Sequence, residues 1–133
     1  MATIKRFEDL EIWREARKLS KVVITISKTT DLKTDFKFKE QIKSSSGSVM
    51  DNIAEGFERD GNLEFRQFLS IAKGSAGEAR SQCYRLYDSE YIAEEKLKEL
   101  IKASKKTSQF ACSSISFASS YFCRPKTVIK ISN

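Results

Sequence analysis

Histidine is absent from the 133 residues and proline occurs once. Without histidine the chain lacks the commonest general base and the commonest metal ligand. A di-iron bundle built on Glu-x-x-His pairs is therefore excluded. Cys83, Cys112 and Cys123 are too far apart for a C-x-x-C motif, so no zinc site is expected. Their odd number fits thiols that stay reduced. Only five glycines are present, and IAKGSAG lacks the G-x-x-x-x-G-K-S/T spacing of a phosphate-binding loop. No apolar run is long enough to span a membrane. The opening MATIKRFEDLEIW lacks the apolar core of a signal peptide, which makes a cytoplasmic location the expectation. No catalytic constellation, cofactor or metal is expected.

Helical periodicity is what the chain does contain. Ile12, Ala16, Leu19, Val23 and Ile26 form one face of a first helix running from about Asp9 to Thr29, with Trp13 and Val22 widening it. Its outward positions are charged: Arg14, Glu15, Arg17, Lys18 and Lys21. Residues 30–35 read as a loop, with Asp35 or Thr34 capping the next helix. There, Ile42, Ser46, Val49, Ile53 and Phe57 make an inward stripe. Beside it runs a wholly polar one of Gln41, Ser45, Ser48, Asn52 and Glu55.

Gly56 and Gly61 bracket the end of that helix, Asn62 suits the N-cap of a third, and Glu64 falls in its first turn. The third helix turns Phe65, Leu69, Ala72, Ala76, Ala79, Cys83 and Leu86 inward and carries Ser70, Gly74, Gly77 and Ser81 on a neighbouring face. A glycine inside a helix costs about 1 kcal/mol relative to alanine. Two of them predict a second backbone close by, so the small stripe is expected against the polar stripe of the preceding helix. A fourth helix begins near Ala93, with Glu94 and Glu95 in its first turn and Leu97, Leu100, Ile101 and Ser104 in register. It is expected to reach Ile115 or Ala118 and to end by Phe122, before Pro125. Val128, Ile129 and Ile131 favour extended structure.

The fold class that follows is all-α, an antiparallel up-and-down four-helix bundle. One bundle domain covers 1–110, and 111–133 is a serine- and cysteine-containing end of the fourth helix with a basic tail. Gln41, Ser45, Ser48, Asn52, Glu55, Gly56, Gly74 and Ser75 are the candidate structural or interface residues. Two readings of the polar set stand side by side: a satisfied hydrogen-bond network between helices, and a subunit contact or ligand site.

The net charge of +6 is unevenly spread. Residues 1–101 carry eighteen basic and eighteen acidic residues, so the excess lies from Lys102 onward. A second enrichment runs from Arg17 to Lys43, where Lys37 and Lys39 alternate with Phe36 and Phe38. Arg17, Lys21, Lys37, Lys39 and Lys43 are the first candidates for phosphate contacts, with Lys102, Lys105 and Lys106 as a second set. Solvated lysines around inward aromatics are the plainer reading of the first set.

Three segments, FEDLEIWREA, QIKSSSGSVMDNIAEG and EFRQFLSIAKGSAGEARSQ, occur in that order over about residues 5–109. They resemble the small four-helix bundle family associated with intervening sequences in bacterial large-subunit ribosomal RNA genes. The blocks from Asn52 to Gly56 and from Phe68 to Ser75 carry most of the likeness. That family also looks similar to the accessory bundle protein of diversity-generating retroelements. The resemblance implies a closed bundle, a ring-like pentamer and no enzymatic activity. The retroelement relative implies binding of nucleic acid and of a reverse-transcriptase-like protein through a basic surface. Met50 stands where many members have proline, and the chain departs from the family pattern after Phe110.

The expectation is thus a non-enzymatic oligomeric binding or scaffolding protein with structured RNA or DNA as partner. A protein-binding adaptor without nucleic-acid contact is the alternative. An enzyme using Glu55 with Asn52 would need a concave pocket around them.

Overall fold

The computed structural model describes residues 4–120, with side chains described as far as Ser116. Cys123, Pro125, the residues 128–131 that were expected to be extended, and the basic residues Arg124, Lys126 and Lys130 lie outside the described residues. Four helices carry the fold: α1 (Glu11–Thr29), α2 (Phe36–Glu58), α3 (Asn62–Asp88) and α4 (Glu94–Ser120). Among the described residues there is no strand. The fourth helix runs unbroken through residue 110.

Each boundary has a local cause. The first helix starts two residues later than its periodicity suggests, because Phe7–Asp9 forms a 3₁₀ turn. The Phe7 ring meets Trp13 edge-on at 5.2 Å. Between α1 and α2 the chain makes a second 3₁₀ turn, Asp31–Thr34, in which the Thr30 hydroxyl accepts from the Leu32 amide. Asp35 is the cap of α2, accepting from the Phe38 amide at 3.4 Å. The expected assignments at 56–62 change. Gly56 sits inside α2, Asp60 takes the left-handed turn conformation with φ 59°, and Gly61 is the N-cap of α3 in place of Asn62. Glu90 plays the left-handed role after α3, with φ 63°. There the Tyr91 amide reaches back to Leu86 O and the Glu90 amide to Tyr87 O, both at 2.9 Å, closing the helix end.

The helices alternate in direction and pack in cyclic order, each against the next and α4 against α1. Phe57 meets Phe65 edge-on, whereas Ser45 near the other end of α2 reaches Gln82. Likewise Glu15 of α1 pairs with Lys106 late in α4. The short connections leave no other arrangement of neighbours.

The core falls into two apolar clusters, one around Ile12, Ile53, Phe57, Phe65 and Leu69, the other around Leu19, Val23, Phe38, Ile42, Leu86 and Leu100. Between them every helix supplies a small or polar side chain: Ser20, Ser45 and Ser46, Gln82, and Ser104 with Thr107, all buried. Ser45 Oγ and Gln82 Oε1 lie 2.5 Å apart. Ser46, Ser104 and Thr107 donate to carbonyls of their own helices at 2.8, 2.8 and 3.0 Å. Satisfied in this way, Ser45, Ser46, Ser104 and Thr107 cost the core little. Cys83 sits in the second cluster, where burial pushes its thiol up to about 12, so it behaves as a small apolar residue.

Candidate functional site

The polar stripe of α2 meets α3, though through residues other than the glycines. Ser48 Oγ lies 3.0 Å from Ser75 Oγ, and Asn52 Nδ2 donates to Ser48 O and Ser48 Oγ, both at 2.8 Å. With Ser45 and Gln82 this forms a hydrogen-bonded seam between the two helices. Gln41 is exposed at the open end of the α2–α3 groove, near Lys37 and Arg85. Glu55 is exposed and pairs with Arg59 at 2.9 Å, so it is not a carboxylate set in a concave site.

Gly56 is the glycine that a neighbour requires. A Cβ there would stand 2.5 Å from Phe68 Cβ and 3.3 Å from Phe65 Cδ1. Gly74 and Gly77, predicted to lie under another backbone, meet nothing within 4 Å. Helix α3 instead turns its small stripe outward, away from α2.

The first basic set is divided between α1 and α2. Arg17 holds its guanidinium over the Trp13 ring at 5.7 Å. Lys21 lines a groove of about 530 Å³ between α1 and the start of α4, with Val22, Ile26, Tyr91, Ile92 and Lys96. Across the bundle, Lys37 sits in the α2–α3 groove. Lys39 lies 4.9 Å from the centre of the exposed Phe36 ring and donates to Lys33 O at 3.3 Å. Lys43 approaches Glu40 at 4.0 Å. Because α1–α4 and α2–α3 are opposite grooves of a four-membered ring of helices, Lys21 and Lys37 share no surface. Phe38 is buried and Phe36 exposed, so the aromatic–lysine alternation is half inward, half outward.

The second set comes together. Lys102, Lys105 and Lys106 share a groove of about 770 Å³ along α4 with Lys98, a lysine that the sequence reading missed. Its floor is Leu97 and Ile101, with Tyr84 of α3, 49% exposed, as a wall. Positions 98, 102, 105 and 109 are helical neighbours, and that spacing is the signal that could have found Lys98. Glu94 lines the far end, 3.9 Å from Lys98. Lys102 and Lys105 have no carboxylate within 4.0 Å among the described residues.

Lys106 is anchored differently. Glu15, expected to face outward, is buried and takes Lys18 at 2.8 Å and Lys106 at 3.2 Å, tying α1 to α4. Burial alone would raise this carboxyl, but the hydrogen bonds and charges of Lys18 and Lys106 outweigh it and hold the pKa below its ordinary 4.5. The stabilisation is therefore present above that ordinary value and is lost as pH falls through the lowered one. The stability gap between the wild type and Glu15→Gln should be open at neutral pH and close on acidification. Denaturant melts across pH would show it, and a gap independent of pH would contradict the assignment. Tyr91, whose hydroxyl donates to Asp35 Oδ2 at 2.7 Å, is raised by that bond and ties the α3–α4 turn to the start of α2.

The outward face of α3 is the other unexpected surface. Leu63, Gln67, Ser70, Gly74, Gly77 and Ser81 follow one another at helical spacing without a charge, and all but the half-buried Gly77 are exposed. At 1.5 Å per residue the stripe is about 27 Å long, and it ends before Tyr84, which faces the α4 groove. Ile71, 52% exposed, flanks it. Among the described residues no three metal-ligating side chains gather as a cation site, and no helix is long and apolar enough to cross a membrane.

This architecture is that of a small four-helix bundle whose polar groups seal helix contacts while two outward surfaces stay open. The chain belongs to the family described as 23S rRNA-intervening sequence protein, whose pattern it matches over residues 8–113. It is similar in fold to a crystal structure described as a protein of unknown function from the S23 ribosomal protein family of Bacteroides thetaiotaomicron VPI-5482. That likeness has a TM-score of 0.70 and 21% identity over 79% of this chain and 95% of the other. No curated protein matches significantly.

Proposed function

We propose that the chain is a non-enzymatic, self-associating binding module that presents repeated copies of the α4 lysine groove to a polyanionic partner, structured RNA or DNA. The observation that carries this is the uncharged outward stripe of α3. Two helix-interior glycines stand there although no neighbouring atom of the same chain requires them. A second copy laid along the stripe would give Gly74 and Gly77 the close neighbour that their composition suits, and would cover Leu63 and Ile71. The pentamer is the assembly that the resemblance implies. The lysine groove supplies the partner class.

Gly74→Glu places a charge in the stripe without a clash in the single chain. It should shift sedimentation toward monomer while leaving the helical spectrum intact. Unchanged sedimentation would reject the stripe as the seam. For the groove, Lys98→Gln with Lys102→Gln and Lys105→Gln should flatten the salt dependence of binding to an RNA hairpin by about one slope unit per lost phosphate contact. An unchanged slope would remove these lysines from the interface. Equivalent changes at Arg17, Lys21, Lys37, Lys39 and Lys43 should do less, because they are divided among separate faces. The apolar floor of the groove favours the second reading, an adaptor for a protein such as a reverse-transcriptase-like partner. Binding insensitive to salt would select it.

A further inference from the structure

The α4 groove has a composition that phosphate binding alone does not explain. Three lysines, Lys98, Lys102 and Lys105, rise along one side at helical spacing, and Glu94 is the sole carboxylate among the lining residues. Yet the surface between them is apolar: Leu97, Ile101 and the half-exposed ring of Tyr84. A regular duplex offers phosphates and sugars outward and keeps the faces of its bases stacked inside. Laid on this groove, it would satisfy the lysines and leave the floor covered by charged backbone. An unpaired strand offers both chemistries at once, phosphates for the lysines and exposed base faces for an aromatic wall and apolar floor.

We infer that the α4 groove receives an unpaired stretch of nucleic acid, with a base stacked on Tyr84 and the flanking phosphates on Lys98, Lys102 and Lys105. This rests on the polyanion reading above and sharpens it. The groove extends from Glu94 to Gln109, about 22 Å at 1.5 Å per residue, which is room for a few nucleotides. Glu94 closes one end electrostatically, so a strand is held toward the Lys105 end. Lys106, engaged by Glu15 at 3.2 Å, serves as a fixed wall rather than a free phosphate ligand.

The test compares a short fluorescein-labelled RNA of mixed sequence, single-stranded, with the same strand annealed to its complement, by anisotropy at low and high salt. The intact protein should bind the single strand about tenfold more tightly than the duplex, the contribution expected of one stacked base. Tyr84→Ser should abolish that preference while leaving the salt slope unchanged, and Tyr84→Phe should retain it. Because Tyr84 is half-exposed, helical content should be unaffected in both variants. Equal binding of the two probes with no effect of Tyr84→Ser would overturn the inference and leave the polyanion reading standing. Failure of both probes to bind would overturn both. Displacement of the strand by polyglutamate as effectively as by unlabelled strand would also overturn it, in favour of an acidic polypeptide.

Discussion

Phe57→Ala is expected to remove about 3–5 kcal/mol of stability, the range for deleting a buried phenylalanine ring. The side chain is 2% exposed, packs edge-on to Phe65 at 6.1 Å and belongs to the first apolar cluster. Its neighbours Ile53 and Leu69 are equally buried, so the void would have little way to collapse. A domain of this size has about 5–15 kcal/mol in all, so the variant should be marginal at 37 °C, and its melting temperature should fall by on the order of 15 °C. Phe36→Ala is the matched control. That ring is 68% exposed, and its loss should change stability by no more than about 0.5 kcal/mol. A loss below about 1 kcal/mol for Phe57→Ala would mean that the ring does not hold the α2–α3 end of the core.

Alanine in place of glycine should have opposite effects at two positions. In a helix the change by itself adds about 1 kcal/mol of stability. At Gly56 the new methyl would stand 2.5 Å from Phe68 Cβ, an atom next to the α3 backbone that cannot swing aside. Moving α3 away would open the Phe57–Phe65 contact, so the net result should be a loss of about 1–3 kcal/mol. At Gly74 the methyl meets nothing within 4 Å, and the propensity gain should survive nearly whole in the separate chain. Thermal melts of the two variants at a concentration low enough to keep the chain monomeric would show opposite signs. Stabilisation by both would deny the close approach at Gly56. Destabilisation by both would mean that α3 does not turn Gly74 outward.

Much of the architecture was legible before any coordinate. The stripes Ile12–Ala16–Leu19–Val23–Ile26 and Phe65–Leu69–Ala72–Ala76–Ala79–Cys83–Leu86 are buried throughout, as their spacing requires. Asp35 caps α2 because a short carboxylate just before a helix finds an unpaired amide within reach, a strictly local matter. The family match likewise follows from linear motifs. At the turns the reading was incomplete: Gly56 and Gly61 were expected to bracket the end of α2, whereas Asp60 takes the positive φ there, and the same role of Glu90 after α3 was not foreseen. Nothing in their neighbours in sequence signals this.

Other features needed the packed molecule. Glu15 lies beside charged, outward residues in sequence, and only the arrival of Lys106 from α4 makes its burial tolerable. Lys21 and Lys37 read as one basic stretch and stand in opposite grooves, while Lys98 joins Lys102 and Lys105 in one. Gly56 and Gly74 look alike in a helical pattern, yet one faces Phe68 and the other open space. The sequence by itself determined where the helices lie and which faces turn inward, because both depend on residues three or four apart, and which family the chain joins, because that rests on linear motifs. The tertiary structure decided which cations share a surface and which glycine has a neighbour. Those depend on the rotation of each helix about its axis and on the order of helices around the bundle, set by contacts between residues distant along the chain.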